Sequence, residues 1–335
     1  MFITVDQAII KLRDEQIVAL PTETVYGLAG LATSNLAIDK IYQAKNRPRD
    51  NPLICHFYNL EQILEYVEMV PSYVNLLSDN FCPGPLSFLL KLKSNSPLLA
   101  ATLGSEFVVC RIPNHPIFLQ VIQSLNIPLA APSANTSTRV SPTSAWNVEQ
   151  DLGSKINGVV DGGNCEVGLE STIIDCRENN RIIILRPGKI GQAEINELFT
   201  KNNVGNIEII NQPKKVAGSD QNPQVIPGNK YRHYSPKTII KPITFSSIEN
   251  LNANSILIGT KEDVQILKDK FLNKKFVYLS LGRENDLNEI SQNLYQVLFE
   301  VDKFNQKQAY WYEFDINNSS IGLAIKDKLK KILTL

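Results

Sequence analysis

The chain has no Cys-x-x-Cys pair, no net charge, only three histidines and no apolar run near the length of a membrane span. Each lack excludes something. Cys55, Cys82, Cys110, Cys165 and Cys176 are odd in number and mostly sit in or beside apolar runs. A disulfide framework or structural zinc site is not expected from that pattern; reduced, mostly buried thiols in a cytoplasmic protein are. The 34 basic and 34 acidic residues cancel, whereas a protein relying on many duplex phosphates carries a basic excess. Crossing a bilayer takes ~20 consecutive apolar residues. The opening "MFITVDQAIIKLRDEQ" has neither the basic nor the apolar region of a signal peptide. No membrane association is expected. Few histidines and no nucleophile elbow leave serine and cysteine triads without support. Neither GxxxxGK[ST] nor GxGxxG occurs.

What is present alternates. "TVDQAIIKL" offers Thr4 as N-cap and Gln7 at N3, and "IVALP", "PLICHF", "LSFLLKLK", "FVVCRIP", "IPLAAP", "GVVDGG", "STIIDC" and "RIIILRP" are strand candidates. Helical segments fall between most of them, but not between the last two, which predicts a mixed α/β sheet over residues 1–204. A Pro- and Gly-rich stretch over 205–237 shows neither helical nor strand periodicity. Over 238–335 the pattern reads β-α-β-α-β-α, a smaller parallel three-layer domain.

In α/β domains ligands sit beyond the carboxyl ends of strands. Polar clusters fall there: "PTETVYG", "KNRPRDNP", "CRIPNHP", "PSANTSTRVSP", "GLESTI" and "LRPG". Singly, each has an ordinary explanation. Thr22 and Thr24 suit a turn; Lys45, Arg47 and Arg49 suit a solvated helix end; His56 suits a packed strand; Ser133 and Asn135 suit a side-chain turn. As a set, Lys45, Arg47, Arg111, Arg139 and Arg186 at loop and strand ends outnumber the loop acids and point to a small anionic ligand, phosphate foremost.

Those motifs, in this order and spacing, resemble the YrdC-like family, in particular its threonylcarbamoyl-adenylate synthases of the larger, two-domain type. "PGNKYRHYSP" resembles the linker of those members, and "GLAIKDKLKKI" the last helix of their appended domain. The resemblance implies a YrdC-like twisted mixed-sheet α/β domain, a linker, and a Rossmann-like three-layer α/β domain. It implies a nucleotidyltransferase that converts L-threonine, bicarbonate or carbon dioxide, and ATP into threonylcarbamoyl-AMP and pyrophosphate, with Mg2+ accompanying the ATP. A separate transferase complex then modifies ANN-decoding tRNAs beside the anticodon, so direct tRNA binding is not required. Carried over position by position, Thr24, His56, Arg111, Ser171 and main chain at Ala131 hold threonine. Arg47, Asn51, Ser133, Ser141, Arg186, Tyr231 and main chain near Phe107 hold ATP. Lys45 and Asn135 are signature residues without an assigned role, and Lys45, Arg47 and Tyr231 are the catalytic candidates. "KYRHY", Lys230 to Tyr234, reads as a lid that lays Tyr231 and Tyr234 over the nucleotide. A non-catalytic RNA-binding module and a domain acting on carbamoyl phosphate are the alternatives.

Overall fold

The computed structural model describes residues 1–211 and 234–333. Helix α1 (Val5–Arg13) starts on the expected reciprocal cap: Thr4 accepts from the Gln7 amide while Gln7 reaches back to the Thr4 amide. Next come β1 (Val18–Leu20), β2 (Gly27–Leu31), α2 (Asn35–Lys45), β3 (Ile54–His56), α3 (Leu60–Tyr66), α4 (Ser72–Phe81), β4 (Leu86–Lys91), β5 (Phe107–Arg111), α5 (Pro116–Leu125), β6 (Leu129–Ala130), α6 (Ala145–Leu152), β7 (Thr172–Asp175), β8 (Arg181–Arg186), α7 (Gln192–Lys201) and β9 (Glu208–Asn211). They build one nine-stranded sheet in the order β1-β2-β6-β3-β5-β4-β7-β8-β9. It is mixed, as the helix-free step from β7 to β8 predicts: that pair is antiparallel, while β3/β5, β4/β7 and β8/β9 are parallel.

Three expectations for this sheet need correction. "GVVDGG" forms no strand; only isolated bridges join Val159 to Phe2 and Ala19, because the chain turns at once into Asp161, whose carboxylate accepts from the Gly163 amide. The reverse miss is β2, "GLAGL", whose glycines and alanines carry little strand propensity. Its small residues serve packing instead: a Cβ on Gly30 would lie 3.2 Å from Ala37 Cβ and 3.2 Å from Ile41 Cδ1. Strand β9 lies inside the stretch expected to lack regular structure, paired in parallel with β8.

The second sheet contains β10 (Ile239–Ile243), β11 (Ile256–Gly259), β12 (Val277–Ser280) and β13 (Gln308–Tyr312), all parallel, in the order β10-β13-β11-β12. Helices α8 (Lys261–Lys270), α9 (Leu287–Lys303) and α10 (Ser320–Ile332) alternate with the strands. Strand β10 was not expected; Pro242 breaks its pattern, and it occupies an edge, where a missing amide is tolerated. One face packs Leu257 with Leu267 of α8 and Phe271 just beyond it, and the other packs Ile256 and Ile258 with α9 and α10, giving the three layers.

The two sheets meet through α9. One apolar cluster joins Leu294, Tyr295 and Leu298 of α9 to Val25, Val140 and Leu169 of the first half. Ser291 Oγ donates to the Val167 carbonyl at 2.9 Å, and Arg139 meets Asp302 at 3.2 Å. Gly168 has φ +75°, and a Cβ there would lie 2.4 Å from the Ser291 carbonyl oxygen, so this approach demands glycine. All five cysteines are free thiols and four are buried, as expected. Among the described residues no helix is long and apolar enough to cross a membrane.

Candidate active site

One face of the large sheet carries an apolar floor of Ile54, Val109, Leu89, Ile173 and Leu185. At one end of it the side chains become polar. His56 of β3 pairs with Arg111 of β5, Arg111 with Ser87 of β4, Ser87 with Ile173 of β7, and Ile173 with Arg186 of β8. Ladder partners share a face, so these five positions form a row across the sheet. Ser171, just before β7, joins it: its hydroxyl lies 2.8 Å from Ser87 Oγ, and Arg186 donates to its carbonyl (2.9 Å) and its hydroxyl (3.0 Å).

Above the row lies a partly open cleft. Lys45, Arg47, His56, Arg111, Ala131, Ser133, Asn135, Ser141, Ser171, Arg186 and Tyr234 line it, all named from sequence. Among the described residues its lining has five cations (Lys45, Arg47, Arg111, Arg139 and Arg186) and one carboxylate, Glu170. That imbalance suits an anion.

The loops are held by their own polar groups. Lys45 ends α2 and is almost fully buried; its ammonium donates to the carbonyls of Ser133 and Asn135. Burial, then Arg47, holds it well below the ordinary lysine value, against the opposing pull of Asp151. Lys45 therefore pins the Ser-Ala-Asn loop, which gives this signature residue a structural task. Asn135 shapes the same loop by donating to the Thr136 (2.8 Å) and Arg139 (3.0 Å) carbonyls. Asn46 adopts the left-handed conformation that ends α2. The turn aims Arg47, whose guanidinium donates to the carbonyls of Asn51 and Pro52, both at 2.9 Å. Asn51 does not line the cleft; it orients Arg47. The Ala131 amide is tied to the Ile54 carbonyl at 3.0 Å.

Thr24 and Phe107 do not line the cleft either. Thr24 is fully buried with its hydroxyl 2.8 Å from that of Thr22, a turn that presents its neighbour Val25 to the cleft. Phe107 lies on the floor's face of β5 but at the strand's other end from Arg111, under the Arg177 guanidinium. Tyr231, with Lys230 and Arg232 of the expected lid, lies outside the described residues. Tyr234 is described, is buried, and reaches the cleft.

Sequence reasoning missed Glu23, Glu170, Tyr295 and Lys328. Arg111 Nη2 lies 2.8 Å from Glu23 Oε2, both side chains buried, yet the contact is not aligned as a hydrogen bond. Glu170 accepts from Ser141 Oγ at 2.8 Å and from the Tyr295 hydroxyl at 3.0 Å. Lys328 is fully buried, with its ammonium 3.7 Å from Glu170. One signal was available: Ile325, Lys328, Leu329 and Ile332 follow helical spacing, which places Lys328 on the buried face of α10.

The thiols offer no nucleophile, since burial pushes Cys55 and Cys82 up to about 12. Burial first, and then Arg111, hold the His56 imidazole well below its ordinary value, so it is neutral near pH 7. An unfolded histidine titrates near about 6.5, so as pH falls the unfolded chain takes up this proton first. The stability contributed by neutral His56 is then complete above about pH 6.5 and is lost as pH falls toward the folded value. Thermal unfolding followed from about pH 8 to about pH 5 should decline below that point, and less steeply in His56→Gln. Equal slopes would contradict the assignment.

Comparison with known proteins gives the family. A family model described as telomere recombination (Sua5, YciO and YrdC) matches residues 11–188, and one described as the threonylcarbamoyl-AMP synthase C-terminal domain matches residues 190–331. The threonylcarbamoyl-AMP synthase of Bacillus subtilis is 35% identical over 329 residues, which cover 97% of this chain and 91% of that protein. That of Pyrococcus abyssi is 34% identical, over 96% of this chain and 91% of its own. The crystal structure of P. abyssi Sua5 complexed with L-threonine has a TM-score of 0.78 at 31% identity, over 98% of this chain and 93% of that one. The nine-stranded sheet, the cleft above its polar row and the appended parallel domain thus lie in a chain that belongs to the two-domain threonylcarbamoyl-AMP synthase family.

Proposed function

We propose that this protein is a nucleotidyltransferase that makes L-threonylcarbamoyl-AMP and pyrophosphate from L-threonine, bicarbonate or carbon dioxide, and ATP. One observation carries the reading: a single cleft holds His56, Arg111 and Ser171 together with Arg186, Ser133 and Ser141. The relative crystallised with L-threonine supports the amino-acid half.

In this mechanism the threonine amine attacks carbon dioxide and loses a proton, giving a carbamate. A carbamate oxygen then attacks the α-phosphorus in line, and pyrophosphate leaves with the bonding pair of the broken P–O bond. No covalent enzyme intermediate is needed. The work of the chain is positioning and charge stabilisation. Arg111 takes the threonine carboxylate as a guanidinium fork, with His56, Ser171, the Ala131 main chain and the Thr24 turn around the rest. Arg47, steadied by Asn51, acts with Ser133, Ser141 and Arg186 on the nucleotide. The described residues contain no cluster of His, Cys, Asp or Glu fit to hold a metal, and Glu23 and Glu170 already face cations. A protein-held magnesium does not fit these residues; magnesium enters as part of the ATP substrate. The product serves a cytoplasmic transferase complex that modifies the adenosine beside the anticodon of ANN-decoding tRNAs.

The deciding experiment is pyrophosphate release by the purified protein with ATP, omitting threonine or bicarbonate in turn. Release that needs both supports the proposal; release without threonine, or none under any condition, overturns it. Substrate choice gives a second check. Serine lacks one methyl and should lose only ~1–3 kcal/mol in kcat/KM, while valine should lose more because a site built for a hydroxyl is left with an unpaired polar group. Comparable turnover of valine and threonine would refute a threonine site.

A further inference from the structure

Glu170 is the cleft carboxylate of the described residues, yet the groups that govern it come largely from the other half of the chain. Tyr295 of α9 donates to both its oxygens, at 3.0 and 3.3 Å. Lys328 of α10, without solvent exposure, places its ammonium 3.7 Å away. The same ammonium lies 3.1 Å from Asp327 and 5.2 Å from the Tyr234 ring centre. Tyr234 in turn stacks on Tyr295, centroids 5.3 Å apart at 19°. From the catalytic half, Ser141 donates to Glu170 at 2.8 Å, and Arg186 lies close enough to be felt by the carboxylate. Burial alone would raise the Glu170 carboxyl, but Lys328, Arg186 and Ser141 outweigh it and hold it below its ordinary value.

This arrangement poses a charge problem. A buried carboxylate beside a polyphosphate repels it, and a carboxylate without its own cation competes with the phosphates for Arg186. A lysine delivered from behind, out of contact with solvent, answers both difficulties. We propose that Lys328 and Tyr295 of the C-terminal domain are positioning residues for the nucleotide end of the cleft: through Glu170 they fix Ser141 and leave Arg186 available to phosphate. The inference rests on the reading that this cleft takes ATP.

The test uses the full chain and the variants Lys328→Met, Lys328→Arg, Tyr295→Phe and Lys328→Met combined with Glu170→Gln. KM for ATP and for threonine are measured by pyrophosphate release, ATP affinity by calorimetry, and folding by circular dichroism. Lys328→Met should raise the ATP KM about tenfold while the threonine KM stays within about twofold. Lys328→Arg should recover most of the loss, Tyr295→Phe should show a smaller shift of the same kind, and removing the Glu170 charge should rescue Lys328→Met in part. A purely structural lysine would lower thermal stability and leave both KM values alone; that result in folded Lys328→Met overturns the proposal. Should Lys328→Met not fold, an unshifted ATP KM in Tyr295→Phe overturns it, and a selective shift there supports it. Wild-type protein that fails to bind ATP defeats the nucleotide reading and the inference together; wild-type binding matched by every variant defeats the inference alone.

Discussion

Replacing Arg111 with alanine is expected to cost on the order of 3 kcal/mol in kcat/KM, read mainly in the use of threonine. The guanidinium is buried beside His56 toward one end of the polar row, where nothing else on β5 can replace it. The substitution also has a structural side. Glu23 lies 2.8 Å from Arg111 and is buried with it, and stripping a buried carboxylate of its cation costs roughly 3–5 kcal/mol of stability. The two effects separate in a double variant. Arg111→Ala with Glu23→Gln should regain melting temperature without regaining threonine use. Arg111→Lys should recover part of both, because an ammonium keeps the charge but not the planar two-point contact. Near wild-type pyrophosphate release from Arg111→Ala would mean the amino-acid site lies elsewhere.

Arg186→Ala is expected to lose a comparable amount, on the order of 3 kcal/mol in kcat/KM, but in the use of ATP. Arg186 sits at the other end of the row, held by two hydrogen bonds to Ser171. Ser171 also contacts Ser87 at 2.8 Å, a tie that does not depend on the arginine, so the threonine end should survive better than the nucleotide end. Initial rates with ATP varied at saturating threonine should show the loss, and rates with threonine varied at saturating ATP should show less of it. An unchanged ATP dependence would remove Arg186 from the nucleotide site.

Much of this was legible because the signals were local. The Thr4–Gln7 cap, the α/β alternation and the mixed sheet each rest on neighbours in sequence. So did the polar motifs, since strand ends can be located and their loops gather at one end of a sheet. What escaped depends on partners far along the chain. Strand β2 is too poor in branched residues to announce itself and is specified by close packing on α2. Strand β9 shows no pattern of its own and forms because β8 offers it an edge. Glu23 reads as a polar turn residue until Arg111, on β5, closes on it. Lys328 is the extreme case: helical spacing places it on the buried face of α10, but that it meets Glu170, from the other half of the chain, is nowhere written in its neighbours. Thr24 is a motif residue whose hydroxyl lies against that of Thr22 within its own turn.

The apolar seam between α9 and Val25, Val140 and Leu169 bears on how the chain can be divided. The gap between the two sheets looks like a natural place to cut, yet a fragment ending there would turn three interior side chains into an exposed sticky patch beside the cleft, the kind of surface that drives aggregation. Expressed alone, the first half is therefore a poor stand-in for the whole. Any attempt to shorten this protein has to repaint Val140 and Leu169 with polar residues, and leave Val25, which lines the cleft, in place, before its activity can be judged.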